Sequence, residues 1–130
     1  METARRHQKV PVPQEERAEC LGADGAVAHV AQCLRMIRGR WKLQILFRLY
    51  ADEVLRSSQL LRDIPGVSQK MLTQHLRDLE QDGLIFRTDF GEQPPRVEYR
   101  LTDAGIALMP VLLAARRFSE TYAGASLADS

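Results

Sequence analysis

The stretch IPGVSQKMLTQHLRDLEQDGLI, residues 64–85, decides the fold of this chain, because it holds a turn, a helix start, an amphipathic helix and a helix end. Pro65 and Gly66 form a turn that stops any helix before them. Ser68 is placed to cap the next helix, and Gly83 is a good left-handed residue to end it. The pattern therefore predicts a helix over about residues 68–81.

This helix has two different faces. Leu72, Leu76 and Leu79 recur at helical spacing and form an apolar stripe, which we expect Met71 to join. Another face carries polar side chains: Gln69, Lys70, Thr73, Gln74 and Arg77. A polar helix face is most often only a solvated surface, so alone it indicates no function. The neighbouring elements decide how this face is interpreted.

Three helices are expected before the quoted stretch. Apolar spacing predicts one from Ala26 to Arg38, and a strongly apolar one from about Arg40 to Tyr50 follows Gly39. A short third helix, capped by Ser57 or Ser58, leads into the turn.

A β-hairpin and a final helix are expected after the quoted stretch. The strands LIFRTDF and RVEYRL are separated by GEQPP, which predicts a loop of about five residues. Thr102 is a suitable cap for a last helix that reaches about Tyr122, with a kink expected at Pro110. This helix has more apolar residues than one small core needs, which favours a partner surface.

The order of these elements is typical of a winged helix-turn-helix domain, an α+β and mainly helical fold. A helix that enters the DNA major groove must bury one stripe and present hydrogen-bonding groups on the other side, as residues 68–81 would do. The hairpin adds Arg87, Arg96 and Arg100, and Arg96 lies beside the turn, where a wing would meet DNA. The alternative is a winged-helix module that binds protein and not DNA, which the fold alone does not exclude.

Composition limits the other possibilities. The chain of 130 residues has a net charge of +1, two cysteines and no apolar run long enough for a membrane span, so we expect a cytosolic protein. Residues 1–22 are interpreted as a flexible arm, residues 23–124 as the winged domain with its dimerisation helices, and residues 125–130 as a tail. No cofactor, metal or catalytic arrangement is expected, and we predict no enzyme activity.

Several segments resemble the HxlR-type branch of MarR-like bacterial transcription regulators: IRGRWKLQILFRLY, the quoted stretch, PPRVEYRLTDAG and LMPVL. The resemblance covers about residues 29–120. It implies a dimeric DNA-binding regulator whose first and last helices form the dimer interface, with Trp41 in the core. It also implies the residues that contact double-stranded DNA: Ser68, Gln69, Lys70, Thr73, Gln74 and Arg77 in the helix, and Arg96 in the wing.

The chain departs from this family at a position that matters for sensing. Redox-sensing members carry a cysteine thirteen residues before the tryptophan, where this chain has Ala28. Cys20 and Cys33 are the remaining candidates for a thiol sensor. Cys33 and His29 also stand one helical turn apart, but two side chains do not make a metal site. The inducer, a small molecule or an oxidant, is left open.

Overall fold

The computed structural model describes residues 14–123, and the chain divides into two compact units, residues 1–37 and 38–130. The first unit contains α1 (Gln14–Leu21) and α2 (Ala26–Met36). Gly25 lies between them, and a Cβ there would lie 2.5 Å from the carbonyl oxygen of Glu19. Only glycine therefore fits this close connection.

Helix α1 corrects the expectation of a flexible arm over residues 1–22. Residues 14–21, QEERAECL, are rich in Glu, Arg, Ala and Leu, which favour helices, and Pro13 directly before them is compatible with a helix start. The prolines and the scarcity of bulky apolar groups in this part of the sequence do not prevent the helix. Residues 1–13 of the expected arm, and the tail of residues 125–130, lie outside the described residues.

The second unit is a winged helix-turn-helix domain, as predicted. In chain order its elements are α3 (Arg40–Asp52), β1 (Leu55–Arg56), α4 (Ser57–Asp63), α5 (Gln69–Gln81), β2 (Ile85–Asp89), β3 (Val97–Leu101) and α6 (Asp103–Phe118), with a π-helical turn at Ser119–Ala123. Helix α6 continues through Pro110. No helix within residues 14–123 is long and apolar enough to cross a membrane.

The sheet has three antiparallel strands in the order β1-β3-β2. Strands β2 and β3 form the predicted hairpin, paired from Ile85 with Leu101 to Asp89 with Val97. The N–H of Phe90 also donates to the carbonyl of Arg96 (3.0 Å). The loop inside this last pair is residues 91–95, the five that were expected.

The core of the second unit lies between α3, α5, the sheet and α6. It is formed by fully buried apolar side chains from these elements and from α4, among them Ile45, Leu46, Leu49, Leu60, Leu79, Ile85 and Met109. The start of α6 approaches the end of α5 so closely that a Cβ on Gly105 would lie 2.2 Å from the carbonyl oxygen of Leu84. Leu84, which follows the end of α5, is therefore held directly against the start of α6.

Two local expectations are wrong. Neither Ser57 nor Ser58 caps α4, because the helix begins at Ser57, and Arg56 before it belongs to β1. The side chain of Gln59 instead accepts a hydrogen bond from the Arg56 N–H (2.8 Å). Met71 does not join the apolar stripe, since it is 42% exposed.

Candidate nucleic-acid interface

Helix α5 is held by the residues that the sequence indicated. The Ser68 hydroxyl accepts a hydrogen bond from the Met71 N–H (3.1 Å), which satisfies one of the free donors at the helix start. Leu72, Leu76 and Leu79 are at most 3% exposed and fix the rotation of the helix about its axis. Gly83 has φ +79° and ends the helix in the left-handed region.

This rotation leaves a polar face toward solvent. The side chains of all five predicted contact residues on the helix are exposed, as is the capping Ser68: Gln69, Lys70, Thr73, Gln74 and Arg77. By helical geometry Lys70, Gln74 and Arg77 lie near the middle of this face and Thr73 lies on the flank toward the sheet. The geometry brings these residues together, and their contact with DNA stays a prediction.

A groove of about 420 Å³ separates α5 from the sheet. Its α5 wall includes Thr73, Arg77 and Glu80, and its sheet wall includes Arg87 and Tyr99. Arg87 stands directly opposite Tyr99 in the β2–β3 register, so both side chains are on the same face of the sheet. The groove therefore has a guanidinium on each wall, with the Glu80 carboxylate on the α5 wall as well.

The three hairpin arginines occupy different places. Arg87 lines the groove and pairs with Asp89 (3.6 Å). Arg100 is opposite Phe86 on the other face of the sheet, and its guanidinium lies 5.7 Å from the centre of that ring. The sequence treated these residues alike, although the alternation of side chains around the inward Tyr99 was sufficient to separate them.

Arg96, the predicted wing contact, is held against the wing. Its guanidinium lies 3.9 Å above the ring of Phe90 and 3.4 Å from the carboxylate of Glu92. The side chain is 32% exposed. To bind a phosphate group, Arg96 would therefore have to break its ion pair with Glu92, or Glu92 would have to move together with it.

On the other flank of α5, Asp78 links two helices. One carboxylate oxygen accepts a hydrogen bond from the side-chain amide of Gln74 (2.9 Å), and the other lies 3.5 Å from the ammonium of Lys42 in α3. Lys42 is only 12% exposed and Asp78 is 33% exposed. The sequence did not indicate this link, because Lys42 and Asp78 are far apart in the chain.

His75 lies beside this link on the half-buried side of α5. Both ring nitrogens are shielded from solvent and have no hydrogen-bond partner among the described residues. Burial lowers the pKa of His75 below its ordinary value of 6.5, the charge of Lys42 lowers it further, and Asp78 opposes this by raising it. This environment supports a role for His75 in packing beside the apolar stripe and not in a contact with phosphate.

Trp41 is half-buried, and its ring lies 3.4 Å from the position that a Cβ on Gly66 would occupy. The Arg40 guanidinium lies 4.3 Å above the ring. Trp41 therefore packs the start of α3 against the turn before α5, which agrees with a structural role.

The two cysteines are both in the first unit and neither forms a disulfide. Cys20 is exposed on α1, and Cys33 is half-buried on α2 together with Ala28 and His29. Within residues 14–123 no three His, Cys, Asp or Glu side chains are grouped in a way that could hold a metal ion.

Fold and site together define a winged helix-turn-helix protein with an exposed polar helix beside a groove that has an arginine on each wall. Residues 36–126 match the HxlR-like helix-turn-helix family, so the chain belongs to that family. It is accordingly a transcriptional regulator of the HxlR type.

Solved and curated relatives agree with this assignment. An HTH-type transcriptional regulator of Methanothermobacter thermautotrophicus is 41% identical over 102 residues, which is 78% of this chain and 77% of that protein. A crystal structure described as a MarR-family transcriptional regulator from Enterococcus faecalis V583 has a TM-score of 0.71 at 38% identity and covers 80% of this chain and 93% of that one. The reduced form of the redox regulator HypR has a TM-score of 0.68 at 34% identity and covers 74% and 94% of the two chains.

Proposed function

We propose that this protein is a homodimeric, sequence-specific DNA-binding regulator that represses transcription from an inverted repeat. The single observation that carries the proposal is the polar face of α5, which is exposed beside a groove with an arginine on each wall. Each subunit would place α5 in a major groove, with the two α5 helices about one turn of DNA apart.

Each predicted contact has a chemical role in this proposal. Lys70 and Arg77 neutralise phosphate groups or bind guanine, whereas Gln69, Thr73 and Gln74 offer hydrogen bonds to base edges. Ser68 and the free N–H groups of the first turn favour a phosphate at the helix start. Arg96 provides the wing contact. We add Arg87 because it lies on the sheet wall of the groove.

The proposed partner in the dimer is a second copy of the chain. Helix α2 exposes a stripe of apolar side chains, with Val27, Val30 and Leu34 each more than half exposed. The last helix and its π-helical turn expose Phe118 and Tyr122, whose rings lie 5.4 Å apart. Exposed apolar surface of this kind is typical of subunit contacts. The proposed functional domain is residues 23–124, and the proposed location is the cytosol.

A signal would act by changing the angle between the two α5 helices, since a shift of an ångström or two in the dimer helices breaks their spacing. If the signal is an oxidant that acts on a thiol, its target is Cys20 or Cys33, because they are the two cysteines of the chain. Replacement of each by serine, followed by DNA titration with and without a thiol oxidant, tests this. Oxidant sensitivity that survives in the double serine variant would refute a thiol sensor.

The DNA contacts can be tested by the salt dependence of binding. Arg77→Ala should lower affinity and reduce the slope of log affinity against log salt by about one unit if Arg77 binds phosphate. If Arg77 binds guanine, the preference at one base position should instead fall by about 1–3 kcal/mol. Arg100→Ala is the matched control, because Arg100 is on the face of the sheet opposite Arg87. Equal effects of both substitutions would contradict the proposed orientation.

The alternative function, a protein-binding module without DNA binding, is favoured by the charges of the chain. The chain has a net charge of only +1, and Arg87 and Arg96 each pair with an acidic neighbour. DNA affinity that is weak and independent of salt would support this alternative.

A further inference from the structure

Gln74 is exposed near the centre of the α5 polar face, but it is not free to rotate. Its side-chain nitrogen donates to the Asp78 carboxylate at 2.9 Å, one turn further along the helix. An ionised carboxylate can only accept hydrogen bonds. The group of Gln74 that meets Asp78 must therefore be the NH2 group, which leaves its carbonyl oxygen and the second N–H available.

Asp78 is itself held from outside α5. Its second oxygen lies 3.5 Å from the Lys42 ammonium, and Lys42 is anchored in α3 with 12% of its side chain exposed. Because each carboxylate oxygen has a different partner, the carboxylate cannot turn without losing one of them. The orientation of the Gln74 amide is thus coupled to the packing of α5 against α3.

The groups that remain free on Gln74 match one base. Adenine presents an acceptor and a donor side by side in the major groove, and an amide that offers one N–H and one oxygen forms both hydrogen bonds. We infer that Asp78, held by Lys42, is a positioning residue that fixes the Gln74 amide for contact with adenine. The inference rests on the proposed function and deepens it, because it names the base that one residue selects.

Asp78→Asn tests the inference, because it keeps the shape of the side chain but removes the constraint. An asparagine can both accept from and donate to Gln74, so the amide can flip, and the ion pair with Lys42 is lost. DNA selection with wild type should give adenine at one position of each half-site. In Asp78→Asn the preference at that position should fall at least about fivefold, the lower limit for one lost bidentate contact.

Two controls separate positioning from charge. Asp82→Asn removes one carboxylate from the residue directly after α5, about two turns beyond Gln74. Both substitutions should raise affinity for unrelated DNA, whereas only Asp78→Asn should weaken the adenine preference. In a Gln74→Ala background, Asp78→Asn should have no further effect at that position, because the two residues act as a unit.

A measurement without DNA completes the test. In wild type the Gln74 side-chain amide protons should exchange more slowly in NMR spectra than those of exposed Gln81, and Asp78→Asn should abolish the difference. Wild type that selects DNA while Asp78→Asn keeps the adenine preference would overturn this inference alone. No DNA selection by wild type would overturn the proposed function as well. Equal loss of preference in Asp82→Asn would mean that the negative charge of Asp78, and not its hydrogen bond to Gln74, sets the preference, and would also overturn the inference.

Discussion

Thr102 stabilises the junction between α5 and α6 through one hydroxyl group with two partners. The hydroxyl accepts a hydrogen bond from the Gly105 N–H (3.0 Å) and so caps α6. It also donates to the carbonyl of Gly83 (2.5 Å), the residue that ends the turn after α5. Thr102→Ala removes both bonds.

The expected cost follows from these two bonds. Loss of a helix cap costs typically about 1 kcal/mol, and loss of a second hydrogen bond costs about 0.5–1.5 kcal/mol. Thr102→Ala should therefore lower the free energy of unfolding by about 2 kcal/mol. For a unit of this size that lowers Tm by roughly 8–16 °C.

Thermal and urea unfolding at one fixed protein concentration measure this cost. Thr102→Ser keeps the hydroxyl and should stay within about 0.5 kcal/mol of wild type. Ser68→Ala removes a cap with a single hydrogen bond and should cost about 1 kcal/mol. If Thr102→Ala costs no more than Ser68→Ala, the bond to Gly83 contributes nothing and the reasoning is refuted.

Three further predictions concern packing and pH. Gly105→Ala should destabilise the protein by about 1–3 kcal/mol or more in urea unfolding, because the added Cβ would lie 2.2 Å from the carbonyl oxygen of Leu84; an unchanged midpoint would contradict this close approach. Leu79→Ala should cost about 2–5 kcal/mol by the same assay, because Leu79 is fully buried; a cost under about 1 kcal/mol would show that the stripe is not part of the core. Burial lowers the pKa of His75 below 6.5 in the folded chain. The unfolded chain therefore binds a proton at this residue more readily than the folded chain does, and the free energy of unfolding falls as the pH drops below about 6.5. His75→Gln should therefore lose less stability than wild type between about pH 7.5 and pH 5.5, and an equal loss in both proteins would count against a neutral, buried imidazole.

The local features of α5 could be predicted because each depends on residues close together in the chain. The cap at Ser68, the stripe at Leu72, Leu76 and Leu79, and the left-handed end at Gly83 all follow from spacing within about four residues. The hairpin was predictable for the same reason, since turn residues separate two strands in which apolar and polar side chains partly alternate.

The features that were missed depend on contacts that spacing does not encode. Arg56 is the residue directly before α4 because β1 pairs with β3, which is distant in the chain, and Arg56 therefore takes the place of the expected serine cap. The link from Lys42 to Asp78 joins α3 to α5 and requires the packing of the two helices to be known. Helix α1 was missed because the prolines before it suggested a flexible segment, although the residues of α1 have a high helix propensity.

The most direct test of the central claim is selection from random double-stranded DNA by the purified chain, followed by titration of the best sequence at two salt concentrations. The account predicts an enriched inverted repeat whose half-sites have centres about 10–10.5 base pairs apart, bound with an affinity that falls steeply with salt. No enrichment above random DNA, or an affinity that salt does not change, would contradict the claim that α5 binds the major groove.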